Sequence, residues 1–284
     1  MTRAWDLAHA AARGAGMELR PLTDVDSAGS INEVIAVTWG GQHLDREVVR
    51  ALAYSGNVPW GAFTESRLIG YVLGWAGVDT DGLHVHSHML ATLPDRRHRG
   101  VGYALKLAQR AQALDQGIHV ARWTFDPLVA RNAHFNMNKL GALVDRFGRN
   151  FYGEMTDDIN RGERTDRFTV RWHLGPEPGP WQGAETGEAV PFVRRTDEDE
   201  PEVVDAPSPD ARTALVEIPR EYHELRVADP ALGRRWREAT GAAFETCLTR
   251  GMLGVTFDRE RSAYLFTSRP IGRERVEEGM GSGS

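Results

Sequence analysis

The segment from His84 to Leu107 constrains the fold and the function of this chain more than any other part of it. It reads HVHSHMLATLPDRRHRGVGYALKL, which predicts a strand, a short basic turn and a helix. The helix begins with the pattern R/Q-x-x-G-x-G/A, in which Gly100 and Gly102 are the glycines. Glycines let the backbone approach a bulky anion, and the N–H groups of a first helical turn point at that anion with the positive end of the helix dipole. The pattern therefore predicts a pyrophosphate site.

This motif and a second one downstream resemble the GNAT superfamily of acyl-CoA-dependent N-acyltransferases. The second is a strand, IHVARWTF, followed by Asp126-Pro127 and by a helix that ends in Lys139-Leu140-Gly141-Ala142. It is similar to the family's closing KLGF segment, with Ala142 where an aromatic residue is usual. The resemblance spans roughly residues 17 to 174, and the predicted order β-α-α-β-β-β-α-β-α-β-β is the one a GNAT domain requires. It implies an α/β (α+β) fold with a GNAT-type mixed sheet flanked by helices.

The resemblance also implies acetyl-CoA or another acyl-CoA as the co-substrate. In the family, the end of the strand before the motif binds the pantetheine arm through its backbone, and the start of the helix binds the pyrophosphate. The cofactor-binding residues implied in this way are Leu90, Ala91, Thr92, Arg97, Arg99, Gly100, Val101, Gly102 and Tyr103. Asn132 is implied as a contact to the cofactor arm, with a hydrogen bond at a helix N-terminus as its alternative role.

Other interpretations of the glycines explain the sequence less well. A dinucleotide fingerprint needs a third glycine where Leu105 stands, and the chain contains no G-x-x-x-x-G-K-[ST]. A plain turn from strand to helix would account for the glycines. It would not account for the basic cluster of Arg96, Arg97 and Arg99 beside them.

The bulk composition favours a small-molecule partner. A net charge of −6 with 26% charged residues gives no basic field that would attract nucleic acid or an anionic membrane. A single cysteine, Cys247, excludes an intramolecular disulfide and a cysteine-rich zinc site, which fits a reducing cytoplasm. The N-terminal stretch carries Asp6, His9 and Arg13, so the sequence does not predict a signal peptide there. The sequence contains no apolar run of about eighteen residues, so it predicts no membrane span.

The 284 residues predict two folded units. Residues 1–174 are expected to form the GNAT domain with the complete cofactor site, 175–209 a Pro/Gly-rich acidic linker, and 273–284 a disordered tail. Between them, residues 210–272 predict a small β-α-β-β unit whose helix is capped by Asp229 and starts at Pro230. This unit is either a degenerate half-repeat of the opening of the first domain or an extension that covers a sheet edge or forms a contact in a homodimer.

His84, His86 and His88 alternate along one predicted strand, so their side chains share a face. Three histidines on one nearly straight strand suit tetrahedral zinc poorly, and no metal is predicted. An imidazole with a pKa near 6.5 is suited to take a proton from an ammonium group before the amine attacks a thioester. In arylalkylamine N-acetyltransferases two histidines lie eleven and nine residues before the first basic residue of the motif, and the resemblance therefore implies His86 and His88 as the base. The alternative is that these rings only line a cleft wall.

The general acid is less defined. Many GNAT enzymes have a tyrosine four residues before the glycine of the closing KLG, where this chain has Met137. Tyr152 is the candidate donor to the leaving thiolate, with Asn136 and Asn138 as weaker ones, or the thiolate leaves without a donor.

Acceptor selection in this family depends on the loop between the first two helices and on the last hairpin. The polar and aromatic residues in these places are Trp39, Gln42, His43, Tyr152, Asp157, Asp158, Asn160 and Asp166. Their carboxylates would hold a cationic amine, or they belong to an ordinary polar loop.

The sequence thus predicts a cytoplasmic acyltransferase that moves an acetyl or other acyl group from acyl-CoA to a primary amine of a small molecule by direct attack. A backbone N–H near Leu90 would polarise the thioester carbonyl. The alternatives are other acyl-CoA chemistry, such as decarboxylation or transfer to a non-amine, and a non-catalytic acyl-CoA sensor.

Overall fold

The structure is a computed structural model that describes residues 3–40, 43–96, 99–155, 161–175, 179, 181, 189–204 and 210–268. Up to residue 148, the helices and strands are α1 Arg3–Gly14, β1 Glu18–Pro21, α2 Ser27–Trp39, α3 Arg46–Tyr54, β2 Trp60–Thr64, β3 Arg67–Asp79, β4 Gly82–Thr92, α4 Val101–Asp115, β5 Val120–Phe125, α5 Ala130–Ala133, which continues as a π-helix over His134–Lys139, and β6 Leu143–Gly148. The later ones are β7 Arg167–His173, β8 Val190–Arg195, β9 Pro201–Val203, β10 Thr213–Glu217, α6 Tyr222–Ala228, α7 Pro230–Thr249, β11 Leu253–Asp258 and β12 Ala263–Thr267.

The chain divides into two compact units. The first comprises Met1–Phe125 and Gly148–Pro178, and the second Asp126–Phe147 and Gly179–Ser284. The predicted boundary at residue 174 differs from this division, because residues 126–147 group with the C-terminal part of the chain.

The first unit is built on a mixed sheet in the order β1-β2-β3-β4-β5-β7. Strands β1 to β4 are antiparallel neighbours, β4 and β5 are parallel, and β5 and β7 are antiparallel. Helices α2 and α4 pack on this sheet, and α1 packs on α4. The predicted GNAT-type mixed sheet flanked by helices is therefore confirmed.

Helix α4 is buried over almost its whole circumference, from Val101 to Ala111. The sheet covers one side and α1 another, where Trp5 of α1 donates a hydrogen bond of 2.6 Å to Asp115. An amphipathic surface helix would bury only one stripe. The position of α4 explains why polar residues of this helix are buried as well.

The second unit has the strand order β6-β11-β12-β10-β8-β9. Helix α7 packs on β8, β9 and β10. Its predicted N-cap is confirmed, because Asp229 accepts hydrogen bonds of 2.9 Å from the N–H groups of Ala231 and Leu232.

This unit is larger than the predicted β-α-β-β element. Strands β8 and β9 form inside the stretch predicted to be a linker, and the acidic run before β9 is the turn between them, where Thr196 N–H donates to Glu200 O. The remainder of that stretch, apart from 175, 179, 181, 189 and 204, and the tail 273–284 lie outside the described residues.

The strand pairing of the second unit also differs from that of the first. The opening strand β1 pairs with β2, the first strand of its hairpin, whereas β10 pairs with β12, the second strand of its own. This difference in strand pairing speaks against a half-repeat.

Among the described helices, none is both long and apolar enough to cross a membrane.

Candidate functional site

Strand β4 carries the two predicted catalytic histidines at a β-bulge. Leu73 of β3 lies opposite Met89, but the next residue, Gly74, lies opposite Ser87, so His88 is an extra residue of β4. A bulge bends its strand and redirects side chains, and bulges are common beside active sites. The regular alternation that the sequence predicted for this strand is therefore interrupted at His88.

The bulge brings both histidine rings against one tryptophan. The rings of His86 and His88 lie 5.0 Å and 4.8 Å from the ring of Trp75 and 5.8 Å from each other. The structure thus brings the predicted pair together on one face of the sheet. Trp75 was not singled out in the sequence, since only the pairing of β3 with β4 shows that it faces His86.

His84 has a different environment from the other two histidines. It is buried, and its Nδ1 lies 3.1 Å from the carbonyl oxygen of Gly82 and 3.9 Å from a carboxylate oxygen of Asp79. Its ring covers Gly77, where an added Cβ would come within 3.2 Å of Nε2. His84 therefore belongs to the β3–β4 hairpin. In the part of the chain that the structure describes, no group of three or more His, Cys, Asp or Glu side chains is arranged to hold a metal ion.

The surroundings of the pair keep both rings neutral near pH 7. Burial, and then the charges of His88, His84 and Lys106, lower the pKa of His86 to about 4. Partial burial against Trp75 also lowers the pKa of His88, although that residue is exposed. A neutral imidazole has the lone pair that a base needs. His88 is the member of the pair that solvent and an incoming amine can reach.

The pairing of β4 with β5 ends at His86, the first of the two predicted catalytic histidines. The parallel pairing of these strands comprises Val85 with Ala121 and His86 with Arg122, and no later residue of β4 has a described partner on β5. Leu90, Ala91 and Thr92, the residues predicted to bind the pantetheine arm, lie in the part of β4 after His86, where they pair with β3 alone. Their backbone therefore has no described strand partner on the side of β5.

Helix α4 begins at the predicted pyrophosphate site. Its N-cap, Gly100, has a left-handed backbone (φ 84°) that suits glycine, and no side chain caps the helix. The N–H of Ala104 is the first to bond back to Gly100 O, at 3.0 Å, so those of Val101, Gly102 and Tyr103 precede the hydrogen-bond ladder of the helix. Arg99 and Gly100 are exposed beside them. Arg97 lies outside the described residues.

Tyr152 lies in a turn after β6 and reaches the histidine face of the sheet. Its hydroxyl lies 2.8 Å from Thr124 Oγ1, and its N–H donates to Thr165 Oγ1 at 3.1 Å. Thr124 is two residues beyond Arg122, the partner of His86, so these side chains share a face. The structure therefore places the candidate acid on the same face as the candidate base.

The other predicted site residues are less favourably placed. Asn132 lies in α5 of the second unit, where its N–H donates to Val129 O. Met137 and Asn136 are buried, and the side chain of Asn138 bonds to Thr256 and to the N–H of Phe257. Asn138 is therefore engaged in the structure of its own unit.

The predicted acceptor loops are only partly described. Asp166 is buried and accepts hydrogen bonds of 2.8 Å from Nε and from one terminal nitrogen of Arg164, and another from the N–H of Asn150, so it closes its own loop. Trp39 is half-buried and His43 exposed. Gln42, Asp157, Asp158 and Asn160 lie outside the described residues.

The end of the β4–β5 pairing, the bulge with its histidines and the glycine-capped start of α4 therefore lie on one continuous segment of the sequence. Residues 29–141 match the model of the Acetyltransferase (GNAT) family, and this part of the chain is a GNAT acetyltransferase domain. No curated protein matches the chain in sequence.

Several solved structures are similar to this chain. One is yncA of Salmonella typhimurium with its cofactor acetyl-CoA, at 18% identity and a TM-score of 0.45, covering 58% of this chain and 97% of that one. An agmatine N-acetyltransferase variant in its apo form has 14% identity and a TM-score of 0.43, covering 56% and 99%. Arabidopsis thaliana Naa50, in complex with a bisubstrate analogue, has 15% identity and a TM-score of 0.41, covering 55% and 97%.

Proposed function

We propose that this protein transfers an acetyl or other acyl group from acyl-CoA to a primary amine of a small molecule. The observation that carries the proposal is the continuity of β4 and α4. Strand β4 carries the histidine pair, and its pairing with β5 ends at His86. A short connection then leads to the start of α4, where the first N–H groups precede the hydrogen bonds within the helix. A base, a channel for an arm and an anion site therefore follow one another in the order that an acyl-CoA needs.

In this proposal the pyrophosphate of the co-substrate lies on the N–H groups from Arg99 to Tyr103, and the pantetheine arm follows Leu90 to Thr92. Asn132 remains a further predicted contact to the arm. A backbone N–H near Leu90 polarises the thioester carbonyl and stabilises the negative charge that develops on its oxygen.

The histidines prepare the acceptor. His88, directly or through water, takes a proton from the ammonium group, and His86 supports it as a second neutral imidazole. The amine nitrogen then attacks the thioester carbonyl carbon, the carbon–sulfur bond breaks, and the electron pair leaves with sulfur as a thiolate. As the amide forms, its nitrogen loses a second proton to solvent. The Tyr152 hydroxyl supplies a proton to the thiolate from the same face of the sheet and regains one from solvent.

The proposal extends to the kind of amine acceptor, the cellular location and the oligomeric state. A small amine is favoured by the net charge of −6, which attracts a cation without forming a nucleic-acid surface. The single cysteine fits a cytoplasmic location, and a homodimer remains a prediction.

Buried Met137 favours a second candidate, because it occupies the place where the family resemblance leads one to expect a tyrosine acid. Acyl-CoA chemistry without an amine, or acyl-CoA sensing, needs no such acid. Release of free thiol from several acyl-CoAs over a panel of primary amines separates these functions. Thiol release that depends on an amine, with an amide product in the mass spectrum, is the expected result. Thiol release without an amine, or binding without thiol release, would contradict amine acylation.

Replacing Gly100 by valine is expected to weaken acetyl-CoA binding at least tenfold, about 1.4 kcal/mol. A β-branched residue is strained at a φ of 84° and places methyl groups where the anion approaches. Calorimetry gives the affinity. Gly117→Val is the matched control, because Gly117 also has a positive φ of 73° and open space around it but follows the other end of α4. Equal affinities of the two folded variants would remove the site from the start of α4.

A further inference from the structure

Lys106 is buried in the middle of α4, on the side of the sheet opposite the histidine pair. Its side chain is almost fully enclosed, and its Nζ lies 3.6 Å from the centre of the Trp123 ring. It donates a hydrogen bond of 2.6 Å to Ser87 Oγ and lies 3.5 Å from Gln109 Oε1. Among the described residues no carboxylate forms an ion pair with it. Burying an ammonium group without a counter-charge is costly, and burial lowers its pKa to about 7.

The hydrogen-bond partner of Lys106 sits at the centre of the bulge. Ser87 lies between His86 and His88, and alternation turns its side chain to the α4 face while the rings face Trp75. Opposite Ser87 stands Gly74, where a Cβ would come within 2.8 Å of Gln109 Nε2 and 2.4 Å of His86 O. The absence of a side chain at position 74 therefore lets the polar residues of α4 approach the bulge.

We propose that Lys106 is a positioning residue for the histidine pair, which fixes the bulge through Ser87 and supplies a positive charge behind His86. The bulge needs such an anchor because an extra residue disrupts the local hydrogen-bond ladder. The positive charge of Lys106 disfavours a second positive charge on His86 and so helps to keep the His86 imidazole neutral. The proposal rests on the proposed function, in which this pair receives the proton of the amine.

Other charged or titratable groups near His86 lie on its own strand and on β5. They are His84 and His88 on β4 and Arg122 on β5, which is paired with Asp79 and Asp81. Of these, His88 and His84 act on the pKa of His86 in the same direction as Lys106. Arg110, on α4, bonds instead to the carbonyl oxygens of Leu174 and Gly175. It is therefore a second buried cation on the same helix and a matched control.

The test is a proton NMR titration of the histidine rings in the wild type, Lys106→Met and Arg110→Met. We expect Lys106→Met to fold, because an apolar side chain of similar length replaces an unpaired buried charge. It should raise the pKa of His86 on the order of half a unit or more, while Arg110→Met leaves it in place. An unchanged His86 titration in Lys106→Met, or an equal shift in both variants, would overturn the role of the charge. Lys106→Gln serves as a second neutral variant.

Ser87→Ala tests the anchor separately from the charge. It keeps the ammonium group but removes its acceptor, so the His86 titration should stay low while kcat falls several-fold and KM for acetyl-CoA holds. An unchanged kcat would overturn the anchoring role. The titration needs no substrate, so it tests the charge on His86 even if the chain proves to acylate no amine.

Discussion

Replacing both His86 and His88 with glutamine is expected to lower amine acylation by on the order of a hundredfold, the usual worth of a general base. Glutamine keeps a polar side chain of similar size but cannot accept a proton near neutral pH. Steady-state kinetics with acetyl-CoA and a reactive amine measures the loss. Binding of acetyl-CoA should survive, and part of the lost rate should return at high pH, where free amine forms without help from the protein.

The single variants are the controls for this experiment, since two rings 5.8 Å apart can replace each other through water. The pH profile adds a second criterion. Both imidazole pKa values are lowered, to about 4 for His86, and only the neutral rings accept protons, so loss of the base on acidification should begin below the ordinary histidine value near 6.5. A double variant with full activity and an unaltered profile would exclude both histidines and redirect attention to His84.

Arg237→Met should destabilise the second unit by about 3–5 kcal/mol, because it removes the positive charge that the largely buried carboxylate of Asp126 faces. The guanidinium of Arg237 binds both oxygens of Asp126, at 3.2 Å and 2.9 Å, and its Nε donates to the hydroxyl of Tyr222. Only 5% of the Arg237 side chain is exposed. Denaturant unfolding measures the change in the free energy of unfolding.

Arg235→Met is the matched control on the same helix. Arg235 pairs with Glu200 at the surface, where about half of each side chain is exposed, and such pairs contribute about 0–1 kcal/mol. If Arg237→Met costs no more than Arg235→Met, the buried pair does not hold this unit together.

The pair of Arg237 and Asp126 also matters for a truncated chain. A chain ending at residue 174 lacks Arg237 and β11, the partner of β6, and we expect its segment 126–147 to lose order.

The parts of the site that depend on local chemistry could be predicted from the sequence. Gly100 takes the backbone conformation that its motif requires, and His86 and His88 lie on one face as predicted, although a bulge interrupts the alternation between them. The contacts that depend on distant pairing could not. Trp75 meets the histidines through the register of two strands, and Asp126 meets Arg237 across 111 positions of the chain.

Lys106 shows a second limit of sequence interpretation. A lysine in a helical pattern is ordinarily a solvated residue, but this one is buried because it lies on the side of α4 that faces the sheet, against Ser87 of β4 and Trp123 of β5. In the same way, the acidic run after β8 is typical of a linker, but it forms the turn of a hairpin. Both misleading signals come from composition, which does not show what packs against a segment.

The start of α4 is the proposed binding site for the pyrophosphate of an acyl-CoA. Calorimetric titration of the full chain with acetyl-CoA and with S-acetylpantetheine tests it most directly, since the second compound carries the same thioester without the pyrophosphate. We expect one acetyl-CoA to bind per chain, at least tenfold more tightly than S-acetylpantetheine, and most of that difference to be lost in Gly100→Val. Equal affinities for the two compounds, or no binding of acetyl-CoA, would contradict it.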